Sequence, residues 1–294
     1  MPEAFAQIHE LFDARAAASP NQAFLYLPES PLTLGELRQL VDQLAQELRA
    51  DGVVPGDRVL VAAENCTEHV ALILACSRVG AWSCGVNARM SRGEIAAFVD
   101  KADPRVIYFT SAVSDAAREH AGHCDARPSV LPALSRSAPR PQAVAETGDL
   151  AHRVAAIIFT SGTTGNPKGV LVSHAGLLLF ARVSAQSRGL GPADRSYAYL
   201  PMTHIFGLAT VLMASLHAGA SLVMRSKFEP ADLFDALATG RVTNVQGPPA
   251  MYTRLLAWLD AQGIAHPRAP DLHYVDAGAA PLDLSLKQAV QARF

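Results

Sequence analysis

Charge is scarce in this 294-residue chain: Asp, Glu, Lys and Arg supply 18% of it, against about 25% in an average soluble protein. Hydrophobic residues make up 50%, so extended disorder, a coiled coil and a collagen-like fibre are excluded. A sizeable core follows, and the length suits two domains or subdomains. Neither sign dominates, since 25 Lys and Arg face 27 Asp and Glu for a net charge of −2, with no sustained basic run. The electrostatic footprint of a phosphate-backbone binder is missing, and no nucleic-acid partner is expected. Cysteine is sparse too. Cys66, Cys76, Cys84 and Cys124 form no Cys-x-x-Cys pair and have no His at zinc-finger spacing. Neither a metal site nor a redox pair is signalled, and buried free thiols are expected. The N-terminus carries Glu3 and Glu10 rather than a basic patch leading into an apolar stretch. It does not read as a secretory signal, and a cytoplasmic location is the expectation.

One stretch lacks charge altogether. Residues 196–224 contain no Asp, Glu, Lys or Arg, a length that could span a bilayer of roughly 30 Å. Pro201, His204 and His217 interrupt it, and the helical candidate 205–216 is nearer a buried core helix than a membrane span.

The rest of the chain reads as alternating strands and helices. Thr33 with Glu36 forms a capping box, Leu37, Leu40, Val41, Leu44 and Leu48 recur on one face, and Gly52 stops the helix. After a turn at Pro55, Gly56 and Asp57, residues 59–63 read as an apolar strand. A helix over 68–79 ends at Gly80, 81–86 is a strand, Ser91 and Glu94 cap another helix, and 106–110 is a strand. Pro128, Pro132, Pro139 and Pro141 then mark an exposed connection over 124–153. It divides an N-terminal subdomain, 1–150, from a second, 151–294. Beyond it come strands at 155–159 and 170–172 and a helix over 175–185 capped by Ser173 or His174. Further strands at 221–224, 242–246 and 273–277 alternate with helices at 230–239, 250–259 and 282–294. The expected class is α/β, with layered, mostly parallel sheets flanked by helices.

Between two of those strands lies Thr160-Ser161-Gly162-Thr163-Thr164-Gly165-Asn166-Pro167-Lys168-Gly169. Its glycines let backbone N–H groups turn toward an anion, its hydroxyls add donors, and Lys168 adds a compact positive charge, a composition suited to a polyphosphate. It is not a Walker A loop, because Pro167 stands where the second glycine belongs and Gly169 follows the lysine. Composition alone leaves open a flexible Gly/Thr hairpin.

The residue order goes further. With Phe159 at its head, this loop closely resembles the signature loop of the adenylate-forming enzymes, the superfamily of acyl- and aryl-CoA synthetases, amino-acid adenylation domains and beetle luciferases. The resemblance implies that Thr160, Ser161, Gly162, Thr163, Thr164, Gly165 and Lys168 hold the phosphates of ATP, with Thr164 also touching ATP-bound Mg²⁺. Leu200-Pro201-Met202-Thr203-His204-Ile205-Phe206-Gly207-Leu208 is similar to the family segment that sets an aromatic side chain beside the acyl and phosphate sites. Elsewhere, a lone His in an apolar stretch is usually a core histidine. Asp276-Ala277-Gly278-Ala279-Ala280-Pro281-Leu282 looks like the family's strand-end turn, where small residues let adenine approach the backbone, although a plain strand-to-helix turn reads the same way. Val245-Gln246-Gly247-Pro248-Pro249 resembles the border of the acyl pocket. Residues 32–37, 56–59 and 64–65 resemble the N-terminal scaffold and are read as core and cap.

By resemblance, His204, Lys168 and Thr164 are catalytic, Gly278, Ala279 and Ala280 join the nucleotide set, and His204, Phe206, Gly207, Gln246, Gly247 and Pro248 line the substrate pocket. The implied reaction is ATP-dependent carboxylate adenylation followed by transfer to coenzyme A or a carrier-protein thiol. The expected fold is the large N-terminal domain of such an enzyme without its small C-terminal domain. Family members are longer, and their further segments supply a magnesium-binding Glu, a ribose-binding Asp and a bridging Lys. Impaired turnover by this chain alone is therefore expected, and the alternative is a non-catalytic nucleotide- or acyl-binding module. Self-association through an open sheet edge is a further expectation. No Asp stands near His204 to pair with an amino-acid ammonium, so an uncharged acyl or aryl acid fits better.

Overall fold

The computed structural model describes residues 5–160 and 168–294. In chain order the strands are β1 (Ala23–Tyr26), β2 (Pro31–Thr33), β3 (Arg58–Ala63), β4 (Trp82–Asn87), β5 (Val106–Phe109), β6 (Arg127–Pro128) and β7 (Ser135–Arg136). They continue with β8 (Val154–Thr160), β9 (Lys168–Ser173), β10 (Arg195–Ala198), β11 (Ser221–Met224), β12 (Asn244–Gly247) and β13 (Tyr274–Ala277). Two sheets result, a six-stranded one ordered β13-β12-β10-β11-β1-β2 and a seven-stranded one ordered β6-β7-β5-β3-β4-β8-β9. The centres of both are parallel, and antiparallel pairing is confined to β1 with β2, β8 with β9, and the β5, β7, β6 edge. This is the layered, mostly parallel α/β class expected. Central strands such as β3 are buried on both faces, which is why they read as apolar runs rather than alternations.

Each sheet draws strands from both sides of the Pro-rich connection. The β1–β2 hairpin joins the six-stranded sheet by pairing Leu25 with Leu222, and the β8–β9 hairpin joins the seven-stranded one by pairing Gly85 with Ile158. The two halves of the chain are interleaved. One large apolar cluster runs through both sheets, from Phe12 and Leu37 to Leu222 and Leu255, and a smaller one lies around Phe98 and Phe109.

Local signals explain the helix starts. Thr33 accepts from the Glu36 N–H while the Glu36 carboxylate accepts from the Thr33 N–H, and Ser91 and Glu94 do the same. Ser173, not His174, caps the helix His174–Ser187. His174 is buried instead, its Nδ1 facing the Ile8 N–H at 3.4 Å. Desolvation drives its pKa down to about 4.

Two expectations need correction. Cys66, Cys76 and Cys84 are buried, but Cys124 is exposed, because it follows the exposed end of the helix Asp115–His123 rather than facing a sheet. The connection 124–153 is not all exposed: Leu131, Leu134 and Ala143 are buried, and β7 pairs with β5. The uncharged run 196–224 is a strand, a loop, a π-helical stretch (Phe206–Met213), a short α-helix (Ala214–Ala218) and a strand. Its lack of charge reflects burial between layers, and no helix among the described residues is long and apolar enough to cross a membrane.

Candidate functional site

The parallel strands β10, β12 and β13 end side by side, at the carboxyl edge where open α/β sheets hold their ligands. The segments leaving these strand ends converge there. Gly247 closes β12 in register with Ala277, and the Gly278 N–H donates to the Gly247 carbonyl at 3.1 Å. Gly278 must be small: a Cβ there would start 3.2 Å from Cζ of Phe206. The next residue, Ala279, has a φ of 65°, a strained backbone setting for a residue with a side chain, of the kind that clusters at ligand sites. Pro248 N-caps the helix Pro249–Ala261 that leaves the site.

Beyond β10, the segment from Tyr199 to His204 crosses from one sheet to the other. Asn65, just after β3 and 4% exposed, pins it. Asn65 Nδ2 donates to the Leu200 carbonyl at 2.8 Å and to the Ala198 carbonyl at 3.4 Å, while its Oδ1 accepts from the Met202 N–H at 2.9 Å. Thr203 then rests on Gly85 of β4, where a Cβ would lie 3.0 Å from Thr203 Cα. His204 is exposed, and its Nδ1 accepts from the Phe206 N–H at 3.2 Å. At Gly207 any Cβ would collide with the carbonyls of Leu200 and Pro201, so glycine is what lets the helix begin against this segment. The Thr210 hydroxyl donates back to the Phe206 carbonyl, and the turn widens into the π form that often marks a functional site.

Of the expected phosphate loop, Ser161, Gly162, Thr163, Thr164 and Gly165 lie outside the described residues. Its two shoulders are described. Thr160 and Lys168 face each other across the β8–β9 hairpin, both exposed, with the Thr160 hydroxyl 3.5 Å from the Lys168 carbonyl. Because Gly85 pairs with Ile158, the hairpin leaves the sheet from the strand next to the one beneath Thr203. Phe206, Gly278 and Gly247 form one cluster, with Gly207 and Pro248 next to it in the chain, and His204, Ala279 and Ala280 are exposed. Gln246 sits below, 2% exposed.

On the other side of Pro201 a cavity of about 340 Å³ opens between the sheets, lined by Asn65, Arg89, Tyr199, Lys227 and Arg254 among others. Arg89 pairs with Glu64 at 2.7 Å, Lys227 with Glu229 at 3.0 Å, and the Arg254 guanidinium stacks on the Phe228 ring at 5.2 Å. Tyr199 buries its phenol against Gly247, and desolvation pushes its pKa up. Among the described residues no cluster of three or more His, Cys, Asp or Glu could hold a metal.

Residues 12–294 match the model of the AMP-binding enzyme family. The chain belongs to that family. It is 31% identical over 267 residues to an indoleacetate–CoA ligase of Aromatoleum aromaticum, covering 85% of this chain and 51% of that protein. Similarity to 4-coumarate–CoA ligase 2 of Oryza sativa subsp. japonica is 28% identity, over 97% of this chain and 55% of that one. Among solved structures, ATP-bound MatB from Rhodopseudomonas palustris superposes with a TM-score of 0.78 at 25% identity, over 97% of this chain and 57% of that one. The chain thus spans about half the length of the curated relatives it matches.

Sequence reasoning located the glycines and Phe206 through their motif. It treated Asn65 as scaffold and passed over Tyr199, because single polar residues between apolar runs carry no spacing signal.

Proposed function

We propose that this chain is the ATP- and acid-binding part of an acid–CoA ligase. A carboxylate oxygen attacks the α-phosphorus of ATP and pyrophosphate leaves. A thiol, coenzyme A or a carrier-protein thiol, then attacks the acyl carbon of the adenylate and AMP leaves. The observation that carries the reading is the convergence of Phe206, Gly247 and Gly278 at the carboxyl edge of parallel strands, beside the hairpin that carries Lys168. Phe206 packs on Gly278, and Gly247 lies against Tyr199 and Met251, so the strand ends offer rings and bare backbone of the kind that flat groups such as adenine and an aryl or acyl chain pack on. Lys168 and the loop donors Thr160, Ser161, Gly162, Thr163, Thr164 and Gly165 supply charge and N–H groups for the phosphates. In this reading His204, exposed beside Phe206, meets the acid's carboxylate next to the nucleotide.

Magnesium, in this reading, arrives with the nucleotide, Thr164 touching it, since the described residues offer no acidic cluster of their own. The two curated relatives are named for acids with an aromatic ring, which supports an aryl or arylalkyl acid here. A cytoplasmic setting, where ATP and coenzyme A meet, goes with this chemistry.

The test is binding. Calorimetry should show Mg·ATP binding by the 294-residue chain. Lys168→Ala should weaken it by roughly tenfold to a hundredfold, the loss of one charge-assisted hydrogen bond. Failure of the unaltered chain to bind Mg·ATP, or equal affinity in the variant, refutes the assignment.

A further inference from the structure

The hairpin that carries Lys168 has its two faces packed differently. Along β8, Ile158 belongs to the large apolar cluster shared with Tyr199 and Leu208, whereas Ile157 and Phe159 pack in the smaller one. Side chains alternate across a strand, so Thr160 leaves β8 on the face of Ile158, and Lys168, directly opposite Thr160 in the antiparallel pair, leaves on the same face. The lysine therefore stands on the face turned to the 199–208 segment, and Phe159 stands on the back.

The hairpin lies at the margin of its sheet. Among the described residues β9 pairs with β8 alone, and Lys168, Gly169, Val170 and Leu171 are all exposed. Phe98 meets the back of the hairpin near its tip. It comes from the helix Arg92–Ala102, whose start is fixed by the Ser91–Glu94 capping box and whose buried stripe is Ile95, Phe98 and Ala102. Phe98 is 6% exposed, and its ring centroid lies 4.6 Å from that of Phe159 with the planes tilted by 50°, at the close end of the range for aromatic pairs. Phe159 in turn pairs with Gly169, where a Cβ would lie 3.4 Å from Phe159 Cε1 and 2.9 Å from Ile157 Cγ2. With no side chain between them, the backbone next to the lysine rests directly on the Phe159 ring and Ile157. Phe98, Phe159, Gly169 and Lys168 form one chain of contacts.

We propose that Phe98 is a positioning residue for Lys168: through Phe159 and Gly169 it sets where the ammonium stands, and so its grip on the phosphates that ATP has and AMP lacks. This deepens the proposed acid–CoA ligase function and rests on it. Phe98 touches no substrate. A shorter side chain at 98 leaves a space into which Phe159 and the strand over it settle, and a charged contact made by a displaced group is weaker. AMP has no phosphate for Lys168 to reach, so its binding does not depend on where the lysine stands. A residue that only stabilised the sheet would alter both nucleotides alike.

The test is nucleotide affinity on the full chain, read by calorimetry for Mg·ATP and by displacement of N-methylanthraniloyl-ATP for AMP. Phe98→Leu should weaken Mg·ATP binding by roughly three- to tenfold, a part of what Lys168→Ala itself should cost, and should leave AMP within about twofold. Phe159→Leu breaks the same chain of contacts one step nearer the lysine and should do likewise, and it decides the matter if Phe98→Leu does not fold. In the Lys168→Ala background neither substitution should weaken Mg·ATP binding further by more than about twofold, because the group they position is gone. Equal losses for Mg·ATP and AMP, unchanged Mg·ATP affinity in both variants, or a loss undiminished in the Lys168→Ala background overturns the proposal. Those results leave nucleotide binding by the unaltered chain intact, whereas an unaltered chain that binds no Mg·ATP refutes the underlying function instead.

Discussion

Removing the Asn65 side chain should loosen the bridge between the two sheets, and the cost can be worked from its bonds. Asn65→Ala deletes two short hydrogen bonds, at 2.8 and 2.9 Å, and a weaker third at 3.4 Å, all at a residue 4% exposed. It leaves the Leu200 carbonyl and Met202 N–H unpaired in the interior. With a net contribution of about 1 kcal/mol per good bond and a further penalty for stranded buried groups, the loss should be roughly 2–4 kcal/mol. At roughly 2–4 °C per kcal/mol for a domain of this order of size, the melting temperature should fall by about 5–10 °C. Asn65→Asp sharpens the test. Aspartate keeps the acceptor for Met202 but turns a donor into a carboxylate facing two carbonyls, so it should be less stable than Asn65→Ala at pH 7. That deficit should shrink as the pH is lowered and the acid protonates, since the protonated form can again donate to Leu200. Thermal melts by circular dichroism read both variants. A melting temperature for Asn65→Ala within about 1 °C of the unaltered chain would show that the Leu200–Met202 segment is held by something else.

His69, fully enclosed by its helix and neighbours, has a pKa pushed down to about 4 by desolvation from its ordinary 6.5. As pH falls from 6.5 toward 4 the unfolded chain takes up a proton that the folded one refuses, so stability drops with acid. By pH 5 this residue accounts for about 2 kcal/mol, and His69→Leu should lessen the urea-measured drop between pH 7.5 and 5 by that amount. A drop unchanged by the substitution would place the acid sensitivity elsewhere. Gly247→Ala should displace Tyr199 and Met251, whose side chains occupy the space of a new Cβ. A loss of roughly 1–3 kcal/mol and weaker acid binding are the expected readouts, and an unshifted melting temperature counts against the contact. Thiol labelling of the native chain should modify Cys124 alone, with Cys66, Cys76 and Cys84 reacting only in denaturant. Those three are enclosed, and burial drives the Cys84 thiol up to about 12. More than one fast-reacting thiol before unfolding would contradict their burial.

Local chemistry written in the chain was enough for much of the architecture. The capping boxes at Thr33 and Ser91, the Gly80 stop and the apolar runs around 59–63 and 155–159 each need only near neighbours to act, so their elements stand where their residues imply. The motif order around Lys168, Phe206 and Gly278 likewise announces the family from residue order alone. Other features depend on partners far along the chain. Short edge strands such as β2, β6 and β7 gain their pairing from distant segments, and β10, opened by a charged Arg195, owes its place to strands β11 and β12. The π form of Phe206–Met213 and the seating of Gly207 against the Leu200 and Pro201 carbonyls are likewise invisible to periodicity.

The sequence by itself determined the capped helices, the apolar central strands and the family, because capping, periodicity and residue order are short-range properties. Only the tertiary structure decided that the two halves exchange hairpins, that Asn65 ties the Leu200–Met202 segment to the opposite sheet, and that Arg188 holds the Thr210 carbonyl within the π-helical stretch. Such meetings are set by sheet register and layer packing across scores of intervening residues, and no window of neighbouring residues encodes them.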